Sequence, residues 1–459
     1  MKTKLLLIIL SVNLNLSFAQ KEANIWCFGE NAGLDFNSGS PVAFPGVSMV
    51  QQEGCASIAG ATGNLLFYTD GMTVWNSNHV PMPNGTGLSG NQSSTQSALI
   101  VKQPGNTGIY YLFTTGYGST ASFDYNIVDM SLQGGSGDVT ALNVQLLPAA
   151  DEKITAVRHS NGSDIWIITT QNKGDIFHSF LLTSTGISTT PVTTVSGISH
   201  FGLDFMGCLK ASPLRNKLAA ALQENSFELH DFDNATGITS NPVVMASPNY
   251  HWAYGVEFSP DGTRLYCSEY GSGYHVYQFD LTAGSPNAII NSATLIGTST
   301  GHSSTLQMGP DQKIYMANYN TSYLSVINFP NLLGTACNFV DLAVNLSPGS
   351  SRMGLPNIFT DYVIASGAEE VQLQAAGFTI YPNPVSENSI VTFQPDKKSG
   401  VTIELFNASG KLVHSQHYKA EPGHNKFELI TNKLQTGIFL MALKNERKIF
   451  SKKIIYDGE

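Results

Sequence analysis

Gly255-Val-Glu-Phe-Ser-Pro-Asp-Gly-Thr-Arg-Leu-Tyr266 returns fifty residues later as Thr305-Leu-Gln-Met-Gly-Pro-Asp-Gln-Lys-Ile-Tyr315. In both, an alternating apolar run enters a Pro-Asp turn and a second apolar run leaves it. Alternation with a period of two marks a half-buried strand, and Pro, Asp and Gly each supply turn geometry. Each stretch therefore reads as a β-hairpin. The same frame fits Cys208-Leu-Lys-Ala-Ser-Pro-Leu-Arg-Asn-Lys-Leu218 and Thr155-Ala-Val-Arg-His-Ser-Asn-Gly-Ser-Asp-Ile-Trp166 and, more loosely, residues 97–111 and 55–68. The second strands then open at Leu65, Ile109, Ile165, Leu218, Leu265 and Ile314, at steps of 44, 56, 53, 47 and 49.

A four-stranded propeller blade takes roughly 40–50 residues, and stacking such sheets radially lets each cover the faces its neighbours cannot bury alone. Third strands follow at residues 226–233 and 274–280, and fourth strands are expected at 242–246, 288–296 and 339–344. A last unit is split. Met353-Gly-Leu-Pro-Asn-Ile-Phe359 reads as a first strand with nothing after it. Asn24-Ile-Trp-Cys-Phe-Gly29, residues 33–36 and residues 41–47 read as second, third and fourth strands with nothing before them. Joined, they predict an all-β, seven-bladed β-propeller closed by N- and C-terminal strands, with six or eight blades as alternatives.

The ends of the chain read differently. Lys2 and Lys4, the apolar residues 5–16 and Ser17-Phe18-Ala19 form a signal-peptide pattern, with cleavage expected after Ala19. The apolar stretch falls short of the roughly 20 residues a membrane-spanning helix needs. The expected division is a signal peptide at 1–19, the propeller at 24–362, a linker at 363–376 and a small β domain at 377–459. About seven short strands in that last segment suggest an immunoglobulin-like β-sandwich.

Charge excludes some partners. Between residues 20 and 376 there are 11 basic and 26 acidic residues, and after 376 there are 11 and 8. A body this acidic is a poor ligand for nucleic acid or anionic membrane. The five cysteines, Cys27, Cys55, Cys208, Cys267 and Cys337, are odd in number, widely spaced and without a CxxC pair, so they read as buried thiols; a Cys27–Cys55 bridge stays open. No GxSxG, P-loop or HExxH motif occurs. No catalytic residue, metal ligand or cofactor is assigned. Asp231-Phe-Asp-Asn-Ala-Thr-Gly237 looks like a calcium loop but reads as an Asx turn.

One constellation is a candidate binding site. His200, His251 and His302 each precede a first strand in successive units, and Glu53, Lys153 and Arg352 hold comparable places in others. Loops entering innermost strands gather around a propeller's central opening, so these six are expected at the channel mouth, as a polar pocket or as solvated loop residues. Arg158, Lys210, Glu257 and Gln307 alternate so as to face the axis, where pairing or bound water satisfies them. Trp252, beside His251, stands apart from the other tryptophans, which read as packing residues.

Two resemblances follow from these motifs. Gly54-Cys-Ala-Ser-Ile58, Gly63-Asn-Leu-Leu-Phe-Tyr-Thr-Asp-Gly71, Ser94-Thr-Gln-Ser-Ala-Leu-Ile100 and the hairpin repeats resemble secreted Bacteroidota propellers of WD40-like and lactonase-like pattern, over about residues 24–362. Tyr381-Pro382-Asn383-Pro384, the turn at Gly410, Leu434-Gln-Thr-Gly437-Ile-Phe439 and Lys452-Lys-Ile-Ile-Tyr456 resemble the type A C-terminal sorting domain of the type IX secretion system. That resemblance implies passage across the outer membrane, partnership with the secretion machinery, removal of the domain and release or surface attachment. The expected function is a non-enzymatic surface module that binds a glycan, peptide or other surface partner. The alternative is a hydrolase or lyase of lactonase-like or glycan-active type.

Overall fold

The structure, a computed structural model, describes residues 20–364 except 119–120, 172–174, 200–201, 225, 247–249, 251 and 272; beyond these it describes 378–381, 385, 389–393, 398–407, 412–423, 425–429, 437–445 and 449–456. The predicted signal peptide and residues 365–376 of the predicted linker lie outside these residues, while Val363, expected to open the linker, is buried in the body's core. Contacts divide the chain into two compact units between Ala365 and Ser366.

The first unit is a succession of separate antiparallel ladders. The first comprises β1 (Ile25–Phe28), β2 (Ala32–Asp35) and β3 (Val42–Ala43). Next come β4 (Ala56–Ala59), β5 (Leu65–Thr69), β6 (Thr73–Asn76) and β7 (Pro81–Thr86), then β8 (Ala98–Lys102), β9 (Ile109–Thr115), β10 (Phe123–Asp129) and β11 (Asp138–Leu147). A five-stranded ladder follows, of β12 (Ile154–Arg158), β13 (Ile165–Gln171), β14 (Ile176–Thr183), β15 (Gly186–Ile187) and β16 (Val192–Val195). The fifth holds β17 (Leu209–Ala211), β18 (Lys217–Leu222), β19 (Ser226–Asp233) and β20 (Ile238–Ala246). The sixth holds β21 (Ala253–Phe258), β22 (Arg264–Glu269), β23 (His275–Asp280) and β24 (Thr294–Thr298), and the last β25 (His302–Met308), β26 (Ile314–Tyr319), β27 (Tyr323–Ile327) and β28 (Phe339–Asn345).

This is a propeller-like, all-β arrangement. The first strands β4, β8, β12, β17, β21 and β25 touch one another in chain order. Trp26 of β1 meets Tyr315 of β26 edge-on at 5.6 Å, so side chains of the first ladder also reach the last. Among the described residues no ladder runs between neighbouring sheets; they are joined by packing, as the covering of each apolar face by the next requires. The turn between first and second strands needs a left-handed residue in six ladders: Gly63, Gly105, Gly162, Arg215, Gly262 and Gln312 all have positive φ. Glycine suits four of these at no steric cost, and Arg215 and Gln312 bear the strain.

Two expectations change, and the reading of the cysteines as buried thiols holds. Residues 288–296 are not one strand: Ser285 caps the helix α1 (Pro286–Asn291) by accepting from Ala288 N, Pro286 stands in its first turn, and β24 starts only at Thr294. The fourth strand expected at 41–47 shrinks to two residues, since Pro41 and Pro45 have no N–H to donate. No bridge links Cys27 to Cys55, and all five cysteines are free and buried.

The predicted first strand of the split unit also differs. Residues 353–359 form no ladder with β1. Among the described residues one bridge, Cys55 to Pro356, connects this stretch to the N-terminal sheets, and Glu30 bridges to Ser350 just before it. Met353 N donates to Gln52 O at 2.8 Å, Thr305 N to Met353 O at 3.1 Å and Asn357 N to Cys55 O at 2.8 Å. Pro356 removes one donor, and the remaining polar groups are satisfied by several inner strands in turn. Residues 350–359 therefore run as an extended segment among the first strands, and the chain then closes into a 3-10 turn at Thr360–Tyr362.

The second unit is a sandwich. One sheet pairs β29 (Phe378–Tyr381), β30 (Ile390–Phe393) and β33 (Asn425–Glu428). The other is ordered β32 (Leu412–Ala420), β31 (Ser399–Phe406), β34 (Gly437–Asn445) and β35 (Ile449–Tyr456). Phe378, Val391 and Phe427 from the first sheet share one buried core with Ile403, Met441 and Ile454 from the second.

Candidate functional site

The inner strands satisfy their own charges. Lys210 Nζ on β17 donates to Gln307 Oε1 on β25 at 2.5 Å and stands 3.6 Å from Glu257 Oε2 on β21. Glu257 accepts from Phe258 N and Met308 N, both at 3.0 Å. Burial nevertheless pushes its pKa up, against the pull of Lys210. Arg158 on β12 pairs with Asp361 at 2.7 Å. All four axis-facing residues read from the alternation are engaged within the unit.

Of the six residues expected at the mouth, three are brought into one cluster. Tyr254 Oη donates to Glu53 Oε2 at 2.5 Å. The Tyr254 ring lies 5.9 Å from that of Tyr270, and Tyr270 lies 5.8 Å from His302. His302 is the first residue of β25, with its Nε2 3.0 Å from Tyr274 Oη and its ring 6.0 Å from Tyr319. The Arg352 guanidinium sits over Tyr319 at 5.6 Å, donates to Asn320 Oδ1 at 3.1 Å and pairs with Glu30 at 2.5 Å. Lys153 stands apart and buried, with Nζ donating to the carbonyls of Asp204 at 2.5 Å and Met206 at 2.7 Å; burial lowers its pKa. His200 and His251 lie outside the described residues.

Sequence reasoning missed the tyrosines of this cluster and a carboxyl beside it. Glu152 accepts from Thr95 N at 2.8 Å, Thr95 Oγ1 at 2.9 Å and Gly118 N at 3.3 Å. Desolvation pushes Glu53 up to about 8 and Glu152 up to about 7, and the charge of Glu152 adds to the rise at Glu53. Lys153 reads as a mouth residue from its place before a first strand, and Glu152 beside it is not singled out. Nothing local signalled that both are buried.

These shifts give a pH prediction. A folded pKa above the unfolded one means that the folded state holds the extra proton between about pH 4.5 and about 8. Glu53's contribution to stability is therefore complete below that window and is lost as pH rises through it. Urea unfolding of Glu53→Gln at pH 5, 7 and 9 should show a shallower loss of stability with pH than the parent. Identical pH slopes would show that Glu53 ionises normally.

Other arrangements are internal. Ser196 Oγ, the His230 ring and Glu228 align at 2.9 and 3.1 Å, a hydroxyl–imidazole–carboxylate series, but His230 and Glu228 have no exposed surface. They tie the end of β16 to β19. Asp233 accepts from Ala235 N at 2.9 Å and Thr236 Oγ1 at 2.8 Å, the pattern of an Asx turn. Among the described residues no group of three or more His, Cys, Asp or Glu is placed to hold a metal.

Trp252 is different. It is 43% exposed, and its backbone has φ +63°, a conformation that bulky side chains rarely adopt. A Cβ at Gly271 would come within 2.4 Å of its ring, so glycine there leaves room for the indole. Its carbonyl accepts from Tyr270 N at 2.8 Å, which links this exposed ring to the tyrosine cluster.

In the sandwich, Tyr381 ends β29 in register with Ile390, and Gly437 opens β34 in register with Tyr456. Pro382, Asn383, Pro384 and Gly410 lie outside the described residues. Residues 379–457 match the family of secretion system C-terminal sorting domains. The chain carries a sorting domain of that family. The sorting domain directs the protein through the type IX secretion system to the cell surface or exterior, so the secretion machinery is a partner of the chain. Among the described residues no helix is long and apolar enough to cross a membrane.

No curated protein matches the chain. Among solved structures it is similar to a Bacteroides fragilis candidate 6-phosphogluconolactonase, at 12% identity and TM-score 0.45 over 73% of this chain and 97% of that one. It is also similar to the periplasmic gluconolactonase of Pseudomonas aeruginosa, at 13% and 0.36 over 72% and 88%. The Cps50 β-propeller domain of Myceliophteria thermophila gives 11% and 0.40 over 66% and 93%.

Proposed function

We propose that the mature body is a seven-bladed propeller that binds a surface glycan at the mouth formed by Trp252, Tyr270, His302 and the Glu53–Tyr254 pair. One observation carries this reading: an exposed indole on a strained backbone, seated on a glycine and joined to a cluster of tyrosines. Strained residues persist where the surrounding structure over-determines them, and they concentrate at ligand sites. Aromatic faces with a few placed polar groups are the usual lining of small-ligand sites. Arg352 belongs to the same cluster through Tyr319, Lys153 takes no part in it, and His200 and His251, expected there from their sequence positions, lie outside the described residues. The body spans about residues 24–362 after cleavage behind Ala19, and the sorting domain is removed within 363–376, leaving the body released or surface-attached.

A second reading has its own observation. Glu53, raised to about 8, and Glu152, raised to about 7, retain much of their proton near neutral pH, which suits general-acid work in a lactonase-like or glycan-active hydrolase. A glycan array separates the two. Trp252→Ala should cost about thirtyfold in affinity, the scale of an aromatic hot spot, with an unchanged unfolding midpoint. Turnover of an array hit that disappears in Glu152→Gln would favour the hydrolase. Array binding untouched by Trp252→Ala would remove the mouth as the site, and a hit confined to peptides would replace the glycan.

A further inference from the structure

Among the inner strands the segment 353–364 makes contacts of a kind usually seen between a protein and a bound peptide. Its polar groups are read one after another by different sheets. Asn357 Nδ2 donates to Ile154 O at 3.1 Å, and Asn357 Oδ1 accepts from Gln96 Nε2 at 3.2 Å. Thr360 Oγ1 donates to Ala211 O at 3.3 Å. Tyr362 Oη accepts from Lys102 N at 2.9 Å, and Val363 O accepts from Gln312 Nε2 at 2.6 Å.

The centre of these contacts is a carboxylate held by two guanidiniums. Asp361 accepts from Arg158 Nε at 2.7 Å, Arg215 Nε at 3.1 Å and Arg215 Nη2 at 3.3 Å, and its side chain is 6% exposed. Arg158 also stacks over Phe359 at 5.3 Å. Arg158 and Arg215 come from separate sheets, and Arg215 holds a left-handed conformation at its turn. Paired guanidiniums on one desolvated carboxylate are the arrangement by which proteins recognise acidic peptides.

We propose that the axis of the body is a peptide-binding channel occupied in cis, with residues 353–364 as its bound ligand and the Arg158–Asp361–Arg215 clamp as its principal recognition element. The ligand class is a peptide, extended up to Phe359 and closed by a single 3-10 turn, that places one carboxylate between the two arginines. Because the occupant is the last segment of the body, its docking adds side-chain contacts to β12, β17 and the turn that carries Arg215, beyond those the first strands make with one another.

The test uses the full chain. In Asp361→Asn the segment should detach: amide exchange across 355–363 should quicken about a hundredfold relative to β13 and β22, since one partner of a buried pair has lost its charge. Trypsin should then cut after Arg352, a bond spared in the parent. A fluorescent synthetic peptide of residues 353–364 should bind Asp361→Asn and not the parent, and the same peptide carrying Asn for Asp361 should bind neither. Arg215→Ala, at a half-exposed side chain, is the milder control and should quicken exchange in the segment alone. Exchange that stays slow in Asp361→Asn would overturn the proposal. So would equal quickening of segment and inner strands in Arg215→Ala, or failure of the peptide to bind a detached segment's channel.

Discussion

Trp26→Ala is expected to destabilise the body by about 3–5 kcal/mol, the usual cost of truncating a large buried aromatic side chain. Trp26 has no exposed surface. Its ring packs on Phe36 at 4.9 Å and on Tyr315 at 5.6 Å, and its Nε1 donates to Ala23 O at 3.0 Å. Phe36 also meets Tyr315, at 5.6 Å. The substitution thus opens a cavity where the first ladder meets the last, and leaves the Ala23 carbonyl without a partner. Urea unfolding followed by tryptophan-independent far-ultraviolet dichroism measures the effect. A midpoint within error of the parent would mean that the two ladders do not depend on one another, and the succession of sheets would not be a cooperative unit.

The second large effect is expected at the axis. Lys210→Met should cost about 3–5 kcal/mol, because it leaves the Glu257 carboxylate buried without its counter-charge. Met keeps most of the stem's volume, so lost packing contributes little. Burial already raises the Glu257 pKa, and removing Lys210 takes away an influence that lowers it. The penalty should therefore shrink at pH 5, where the orphaned carboxyl takes up a proton, and grow at pH 8. Unfolding free energies of the parent, Lys210→Met, Glu257→Gln and the double variant close a thermodynamic cycle. Additive single effects at pH 8 would show that the pair is uncoupled and that the network is only a convenience of packing.

How much of this was legible depends on the range of the interactions. Leu65, Ile109, Ile165 and Ile314, read as the openings of second strands, are the first residues of β5, β9, β13 and β26. Residues 226–233 coincide with β19. These were readable because alternation and turn chemistry act over a few residues. The helix α1 was misread for a related reason: Ala288-Ile-Ile290 suits a strand by composition, and the deciding Ser285 cap and Pro286 lie just before it. The site was legible in fragments. Glu53, His302 and Arg352 were found from their places before first strands, but Tyr254, Tyr270, Tyr274 and Tyr319, which connect them, looked like ordinary strand aromatics.

The order of hairpins, the acidic body and the terminal sorting domain are written in local pattern and composition, where neighbouring residues along the chain suffice to specify them. The route of residues 350–364 and the burial of Lys153 and Glu152 are not. Asp361 meets Arg158 across a separation of 203 residues, and Gln96 meets Asn357 across 261. Such partners are chosen by which sheets come to face one another at the axis, and that is settled only when every apolar face has found its cover.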